Sequence, residues 1–168
     1  MGNPVPLKVF RIAPMDPPIL WMTTLLLALP LVLVVGALFS GYYLTVVSMI
    51  LVALYAWVWV RFRPSRFTVD EHSFTVLWPL KQRTIPRGEI ISARLIEREE
   101  LRKEIGPSVR IGAGGLWGGF GWLWTQRRGI VQMYVSRTDC CIWIERLNGR
   151  PMIVTPEQPE RFVRALSN

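Results

Sequence analysis

The stretch PPILWMTTLLLALPLVLVVGALFSGYYLTVVSMILVALYAWVWV, residues 17–60, contains no charged side chain. A bilayer core about 30 Å thick is crossed by about 20 apolar helical residues, so this stretch is too long for one crossing and fits two. Inside lipid, every backbone N–H and C=O group must be hydrogen-bonded within its own segment, which favours helix over loop. We therefore predict a transmembrane helical hairpin, with helices near residues 19–39 and 43–60 and an uncharged turn at residues 40–43.

Basic residues border this stretch on both sides. Lys8 and Arg11 precede it, and Arg61, Arg63 and Arg66 follow it closely, whereas the turn between the helices has no charge. Because the cytoplasmic flanks of membrane helices are enriched in Lys and Arg, we expect both termini in the cytoplasm. The net charge of the whole chain is +8, which also suits anionic lipid headgroups.

Three tryptophans lie near the predicted cytoplasmic ends of the two helices. Tryptophan is enriched at headgroup depth because its ring is amphipathic. We predict that these tryptophans and the three arginines after the second helix are membrane-interface anchors: Trp21, Trp57, Trp59, Arg61, Arg63 and Arg66.

The interior of the predicted spans contains no Asp, Glu, His, Lys or Arg. Ion pathways and proton relays need ionisable groups within the membrane, so the hairpin is expected to be an anchor with a helix-packing face. Pro30 lies in the middle of the first span and predicts a kink, because its ring displaces the carbonyl group one turn earlier.

Residues 1–18 are expected to form a proline-rich cytoplasmic arm. Proline removes a backbone donor and clashes with the preceding helical turn, so no helix is expected before Ile19. The arm is predicted to run extended along the membrane surface or along a partner. Its prolines are Pro4, Pro6, Pro14, Pro17 and Pro18.

After residue 60, apolar and polar side chains alternate in short runs, which is typical of half-buried strands. A C-terminal helix is predicted, with Thr155 as its N-cap and Pro156 at its first position. Asn148-Gly149 predicts a two-residue hairpin turn, whereas residues 97–104 fit a helix, a loop or a solvated strand extension. About seven strands are expected, near residues 67–69, 74–78, 83–85, 89–96, 130–135, 141–147 and 152–154.

The segment of residues 112–121 contains six glycines. A phosphate-binding loop needs Gly-Lys-Ser/Thr at the start of a helix, and a dinucleotide motif needs a strand–turn–helix context; neither is found here. The glycines are instead expected to permit unusual backbone dihedrals and close packing.

Aromatic and basic side chains within and after this segment form a candidate docking surface for a partner or for lipid. Tryptophan favours boundaries between water and apolar surroundings, and neighbouring basic residues suit anionic headgroups. The alternative is that two or three of the aromatic rings fill the domain core. The predicted docking residues are Trp117, Phe120, Trp122, Trp124, Arg127 and Arg128.

Side chains that could carry catalysis or bind a metal are few and dispersed. His72 is the only histidine and is expected in an exposed turn. Cys140 and Cys141 are adjacent, which suits neither a structural disulfide nor a zinc site. The acidic residues within 97–104 alternate with basic ones, as on a solvated face. We expect no catalytic residue, no metal site and no cofactor, and the chain is not expected to be an enzyme.

Three local patterns stand out after the second predicted helix: Phe74-Thr75-Val76 with Ile85-Pro86 and Ile90, the segment Gly112–Gly121, and Val154-Thr155-Pro156 leading into Pro159-Glu160-Arg161-Phe162-Val163. With these patterns and the predicted order of strands and helix, residues 61–166 resemble the bacterial pleckstrin-homology (PH-like) domain family. The resemblance implies an α+β fold with a strongly bent antiparallel sheet, nearly a barrel, closed by a C-terminal helix. It also implies attachment to one or two transmembrane helices, as is frequent for such domains, and a role in scaffolding, membrane recognition or protein contact.

The chain differs from the lipid-binding members of the wider family in one loop. Eukaryotic relatives that bind phosphoinositides use basic residues in the first strand–strand loop. This chain has Asp70-Glu71-His72 at that position, so the same activity is not expected from that loop.

The expected division is an arm at residues 1–18, two transmembrane helices at 19–60 and a cytoplasmic PH-like domain at 61–168. We expect a multi-pass protein of the bacterial inner (cytoplasmic) membrane that serves as a non-enzymatic accessory or scaffold subunit of a respiratory, photosynthetic or secretory complex. Its expected partners are other integral-membrane subunits and membrane lipids, with no nucleic acid. The alternatives are a self-standing module that recognises anionic lipid and, less favoured, an enzyme.

Overall fold

Two long apolar helices precede the β-rich part of the chain in the computed structural model, which describes residues 7–40 and 42–167. Helix α1 spans Pro17–Ser40 and helix α2 spans Tyr43–Arg61. Pro4 and Pro6 of the predicted arm and Gly41 of the predicted turn lie outside the described residues.

Helix α1 begins two residues earlier than predicted. Pro17 and Pro18 occupy its first turn, where a missing N–H costs little because those N–H groups have no partner within the helix. Asp16 caps this end: its Oδ1 accepts a hydrogen bond from the Ile19 N–H at 3.2 Å, and its backbone oxygen accepts from the Leu20 N–H.

Part of the predicted arm belongs to a sheet. Strand β1, Lys8–Arg11, pairs antiparallel with β2, Arg66–Val69. Phe10 of β1 is buried, and its ring lies edge-on against Phe162 at 5.1 Å between ring centroids. The expectation of a separate surface arm is therefore wrong for residues 8–11, because the alternation of Val9 and Phe10 across β1 gives one side chain to the core.

The strands form two sheets rather than one bent antiparallel sheet. The first has the order β1-β2-β3-β4, with β3 at Ser73–Leu77 and β4 at Gln82–Pro86. The second has the order β5-β9-β10-β8-β7-β6, and its pair β10–β8 is parallel. Its strands are β5 at Ile90–Glu97, β6 at Ser108–Gly114, β7 at Gly119–Thr125, β8 at Gly129–Val135, β9 at Cys140–Arg146 and β10 at Met152–Val154.

The seven predicted strands are all present, as β2 to β5 and β8 to β10. The additional strands are β1 and the pair β6–β7, which includes the glycine-rich segment. The ambiguous residues 97–104 lie in helix α3, Arg98–Ile105, apart from Glu97, which ends β5. The connection after β9 runs through residues 147–151, so Asn148-Gly149 is part of a longer loop than the predicted two-residue turn.

The C-terminal helix α4, Pro159–Ser167, begins later than predicted, and Thr155 does not cap it. Thr155 is fully buried, its N–H donates to the Tyr134 oxygen, and its hydroxyl oxygen accepts from the Ser136 N–H at 2.9 Å. The hydrogen-bonding groups of Thr155 are therefore used at the end of strand β10 and are not free to cap the helix. Pro159 takes the first helical position.

Two hydrophobic clusters lie on opposite faces of the second sheet. One fills the space against the first sheet and α4 and contains Phe67, Phe74, Ile142 and Phe162. The other surrounds Trp143 and is covered in part by Ile105 and Leu101 of α3. The second sheet is therefore the central layer of the domain, with the first sheet and α4 on one side and α3 on the other.

Candidate functional site

The β6–β7 hairpin spans residues 108–125, and its tip lies against the two apolar helices. The Thr23 hydroxyl on α1 donates to the Gly115 oxygen at 2.9 Å and accepts from the Trp117 N–H at 2.9 Å. Thr23 is buried, although the helix around it is mostly exposed. One threonine therefore satisfies two backbone groups of the hairpin tip at once.

The backbone of this tip has positive φ angles, which are unfavourable for residues that carry a side chain. Gly115 has φ +95°, and a Cβ atom there would lie 2.9 Å from Met22 Sδ. Trp117 is the one described non-glycine residue with positive φ, at +59°, next to the hydrogen bond to Thr23. The glycine at position 115 thus permits both the turn and the close approach to α1.

Trp117 is held by the end of α2. Its ring packs edge-on against Trp59 at 4.6 Å between ring centroids. The Arg63 guanidinium lies 4.1 Å from the centre of the Trp59 ring, and burial lowers the pKa of Arg63. Trp117, predicted to dock a partner or lipid, docks on the helices of its own chain.

The two helices share hydrogen bonds around Pro30. Proline has no N–H to give to the carbonyl group four residues earlier, which is that of Leu26. The Tyr55 hydroxyl of α2 donates to this Leu26 oxygen at 3.1 Å, and the Ser48 hydroxyl donates to the Pro30 oxygen at 2.9 Å. Sequence reasoning missed both contacts, although a serine and a tyrosine within a mostly apolar span were a visible signal.

Trp122 and Trp124 lie two residues apart in β7 and therefore share one exposed face of the strand, with exposed fractions of 43% and 47%. In the β6–β7 register Trp122 lies opposite Ile111 and Trp124 lies opposite Val109, and these two side chains are also exposed. We call Val109, Ile111, Trp122 and Trp124 the β6–β7 apolar face. It is a continuous apolar surface on the outermost strands of the second sheet.

The remaining predicted docking residues do not join this face. Phe120 is fully buried, so the alternative that part of the aromatic set fills the interior holds for it. Arg127 donates to the Lys103 oxygen, and Arg128 pairs with Glu104. The hydrogen bond from Arg128 lowers the pKa of the Glu104 carboxyl. Both arginines therefore bond to residues of α3 and do not form one binding surface with Trp122 and Trp124.

The predicted interface anchors lie at the ends of the helices nearest the domain. Trp21 and Trp57 are largely exposed, whereas Trp59 and Arg63 pack with the hairpin tip. Arg61 is exposed at the end of α2, and the exposed Arg66 starts β2 opposite Arg11. Their role as anchors remains a prediction.

The side chains considered for catalysis stay apart. His72 is exposed in the β2–β3 turn, as predicted. Cys141 is buried, which raises the pKa of its thiol to about 12. Across residues 7–40 and 42–167, no three His, Cys, Asp or Glu side chains form a group that could hold a metal ion.

The helices have the length and composition of membrane spans. Residues Pro17–Phe39 and Tyr43–Arg61 both meet these criteria, and only 11% of each apolar window is buried against the rest of the chain. A core helix of a soluble protein would be mostly buried. The two helices therefore suggest association with a membrane.

Comparison with known proteins identifies the β-rich part of the chain. A family model described as bacterial PH domain matches residues 65–168. No curated protein and no solved structure matches the chain. The family match begins at Ser65, just after α2, so it excludes the helices and β1.

Proposed function

Since the chain belongs to the bacterial PH domain family, we propose that it is a non-enzymatic scaffold subunit of a larger integral-membrane assembly. In this proposal the helices α1 and α2 cross the cytoplasmic membrane and pack beside helices of other subunits. The PH domain lies on the cytoplasmic side with both termini and contacts the same partners there.

The observation that carries the proposal is the attachment of the domain to the helices through Thr23. The hydrogen bonds from Thr23 to the hairpin tip and the contact of Trp117 with Trp59 hold the β6–β7 hairpin against the helix ends. A domain that served only as a freely tethered cytoplasmic module would not need these contacts. A fixed position suits a subunit that must contact partners in the membrane and beside it at the same time.

The β6–β7 apolar face supports a protein partner for the domain. Its side chains are 43–59% exposed, and Trp122 also lines a pocket with Arg61 at the end of α2. The face therefore starts where the helices meet the domain and continues outward along β6 and β7. A cytoplasmic segment of a neighbouring membrane subunit can reach this position, and aromatic side chains are enriched in protein interfaces.

The proposal is tested by solubilising the full chain from its native membrane with a mild detergent and identifying the chains that co-purify. We expect a reproducible set of integral-membrane chains with the wild type and their loss when Ile111→Ser and Trp124→Ser are combined. The matched control is Leu147→Ser, which replaces an apolar residue of 65% exposure in the β9–β10 loop and should retain the set. Recovery of the wild type as a lone monomer, or equal recovery of partners with the double variant, contradicts the proposal.

A further inference from the structure

Strand β1 forms one edge of the first sheet, with β2 as its neighbour on the other side. The backbone groups of successive strand residues point alternately to the two sides of the strand. The Arg11 oxygen accepts a hydrogen bond from the Glu157 N–H at 2.9 Å, so the backbone groups of Arg11 point away from β2. By the same alternation, the N–H and C=O groups of Val9 also point away from β2, toward the outside of the sheet.

The chain itself covers only part of this edge. Ile12 forms a bridge with Pro156, and the Ala13 N–H donates to the Thr155 oxygen at 2.8 Å, so residues 155–157 follow the edge as far as Arg11. Among the described residues, no backbone hydrogen bond outside the β1–β2 ladder involves Val9. Unpaired N–H and C=O groups at a sheet edge pair readily with another extended chain. The edge beside Val9 therefore has a free position for an added strand.

A groove of about 470 Å³ lies beside this position, between β1 and α4. We call it the β1–α4 groove. Phe10 and Ala165 are its buried apolar residues, whereas Val9 is 51% exposed. Its lining residues are Lys8, Val9, Phe10, Gln158, Arg161, Arg164 and Ala165.

The charged side chains of the β1–α4 groove are all cationic: Lys8, Arg161 and Arg164. Within residues 7–40 and 42–167, none of these three forms an ion pair. Arg161 Nη1 donates to Gln158 Oε1 at 2.6 Å, which holds this guanidinium beside the groove. Charges of one sign around a groove favour a partner of the opposite sign, so the groove suits an acidic chain.

The two faces of β1 differ in character. Lys8 and Phe10 lie two residues apart and share the face turned toward α4, where the Phe10 ring contacts Phe162. Val9 lies on the opposite face. A strand added beside β1 has the same alternation, so its side chains on one face meet the cations and those on the other lie beside Val9.

We propose that the β1–α4 groove binds an extended segment of a partner protein in which acidic and apolar residues alternate. The segment pairs with the free edge of β1 through the Val9 N–H and C=O groups. Its acidic side chains contact Lys8, Arg161 and Arg164, and its apolar side chains cover Val9. Main-chain pairing supplies affinity in this mode of recognition, and the alternate side chains supply specificity.

This interaction goes beyond the proposed function, because it requires neither a membrane crossing nor a larger assembly. None of the lining residues of the β1–α4 groove belongs to the β6–β7 apolar face. The inference therefore adds a second interaction surface to the domain.

The test titrates the full chain, in micelles of a neutral maltoside detergent, into a fluorescent hexapeptide of alternating Glu and Val with blocked ends. We expect one bound peptide per chain by fluorescence anisotropy, weaker binding at higher salt, and no comparable binding of a hexapeptide of alternating Lys and Val. Arg161→Gln combined with Arg164→Gln should weaken binding of the acidic peptide about tenfold, because two exposed charge pairs are lost.

The matched control for the arginine pair is Arg98→Gln combined with Arg102→Gln. These two arginines are exposed on α3, so the control removes the same charge from a helix that does not line the groove. It should leave binding of the acidic peptide unchanged. Equal weakening by both double variants means that net charge alone attracts the peptide, and overturns the groove assignment.

Strand pairing is tested separately from charge. Val9→Pro removes the outward N–H and should weaken binding about tenfold or more, with an unfolding temperature near that of the wild type, because this N–H takes no part in the β1–β2 ladder. If Val9→Pro unfolds the chain, the same contact is tested on the wild type with two peptide isomers, each methylated at alternate backbone nitrogens. The isomer whose methyl groups face β1 should lose binding, and the other should keep it. Equal binding of both isomers and the parent peptide overturns strand pairing.

An anionic lipid is the competing occupant. Phosphatidylglycerol added to the micelles should not displace the acidic peptide. Displacement that disappears when Arg161 and Arg164 are both replaced by Gln would assign the groove to lipid and overturn the protein partner.

The peptide experiment contains no other subunit, so its result does not depend on the proposed assembly. Conversely, Ile111 and Trp124, the residues changed in the co-purification experiment, do not line the β1–α4 groove. Failure of one proposal is therefore distinguishable from failure of the other.

Discussion

Thr23 is one of the residues that join the helices to the PH domain, together with Trp59. A threonine in an apolar helix usually bonds to a carbonyl group one turn earlier, as Thr24 does with Leu20 at 2.9 Å. The adjacent Thr23 instead bonds to Gly115 and Trp117, more than ninety positions away along the chain. Nothing in the local sequence separates the two threonines, so this role is set by tertiary structure alone.

Replacing Thr23 by Val should therefore loosen the hairpin tip. The change leaves the Gly115 oxygen and the Trp117 N–H without their partner, at a cost of about 1–3 kcal/mol in the free energy of unfolding. We expect a lower unfolding temperature of the full chain in detergent micelles and faster proteolysis within residues 112–121. Thr24→Val, which removes a hydroxyl from the exposed side of the same turn, serves as the control and should change stability by less than about 0.5 kcal/mol. Equal behaviour of the two variants would show that the Thr23 contacts do not hold the tip.

At the scale of the elements, α1 and α2 are matched to each other through a proline. Pro30 leaves the Leu26 carbonyl without its usual donor, and Tyr55 of α2 supplies one from the neighbouring helix. In an apolar environment an unpaired carbonyl is costly, so this pair favours one relative position of the two helices. The sequence predicts the proline kink but not which side chain compensates for it.

The hydrogen bond from Tyr55 to the Leu26 oxygen predicts that substitutions at Pro30 and Tyr55 are non-additive. Tyr55→Phe alone should destabilise the helix pair by about 0.5–2 kcal/mol, the range of interhelical hydrogen bonds in membranes. In a Pro30→Ala background the alanine N–H can bond to the Leu26 oxygen, so the added cost of Tyr55→Phe should largely disappear. Unfolding of the four chains in micelles measures this coupling. Additive costs would mean that the tyrosine acts by packing and not through the orphaned carbonyl group.

Strand β1 makes the segment before α1 part of the domain. Phe10 lies in the same cluster as Phe67, Phe74 and Phe162. Phe10→Ala should therefore cost about 3–5 kcal/mol in the free energy of unfolding, measured with denaturant on the full chain. Val9→Ala, on the exposed face of the same strand, should cost less than about 1 kcal/mol. Similar small losses of unfolding free energy for both variants would show that residues 8–11 form a peripheral arm and not a part of the core.

The glycine-rich hairpin β6–β7 is an element that the sequence pattern does not predict. Glycine weakens a strand, so the sequence does not predict β-structure for this segment, although Trp122 and Trp124 are spaced as residues on one face of a strand are. Gly121 has φ +125°, and a Cβ atom there would lie 2.7 Å from the Ile111 oxygen of the paired strand. The glycines are thus required by the close approach of β6 and β7, which a single sequence does not reveal.

For the whole molecule, the proposed topology places both ends of the chain in the cytoplasm. In a variant whose two cysteines are replaced by alanine, single cysteines at Tyr42 and Glu157, both exposed, mark the helix turn and the domain. A membrane-impermeant thiol reagent should label Tyr42→Cys in spheroplasts and Glu157→Cys only after the membrane is opened. Labelling of Glu157→Cys in closed spheroplasts would reverse the orientation and exclude a cytoplasmic PH domain.

The sequence by itself determined the uncharged helical pair, seven strands, the final helix and the family, because these depend on local runs of apolar residues and on short patterns. Tertiary structure decided the division into two sheets, the inclusion of Phe10 in the core and the burial of Phe120 beside an exposed Trp122. It also decided that Thr23 and Tyr55 bond to distant backbone groups, whereas Arg127 and Arg128 contact α3. The physical reason is that periodicity records which face of an element is apolar, whereas a hydrogen bond or a pocket depends on which distant element covers that face.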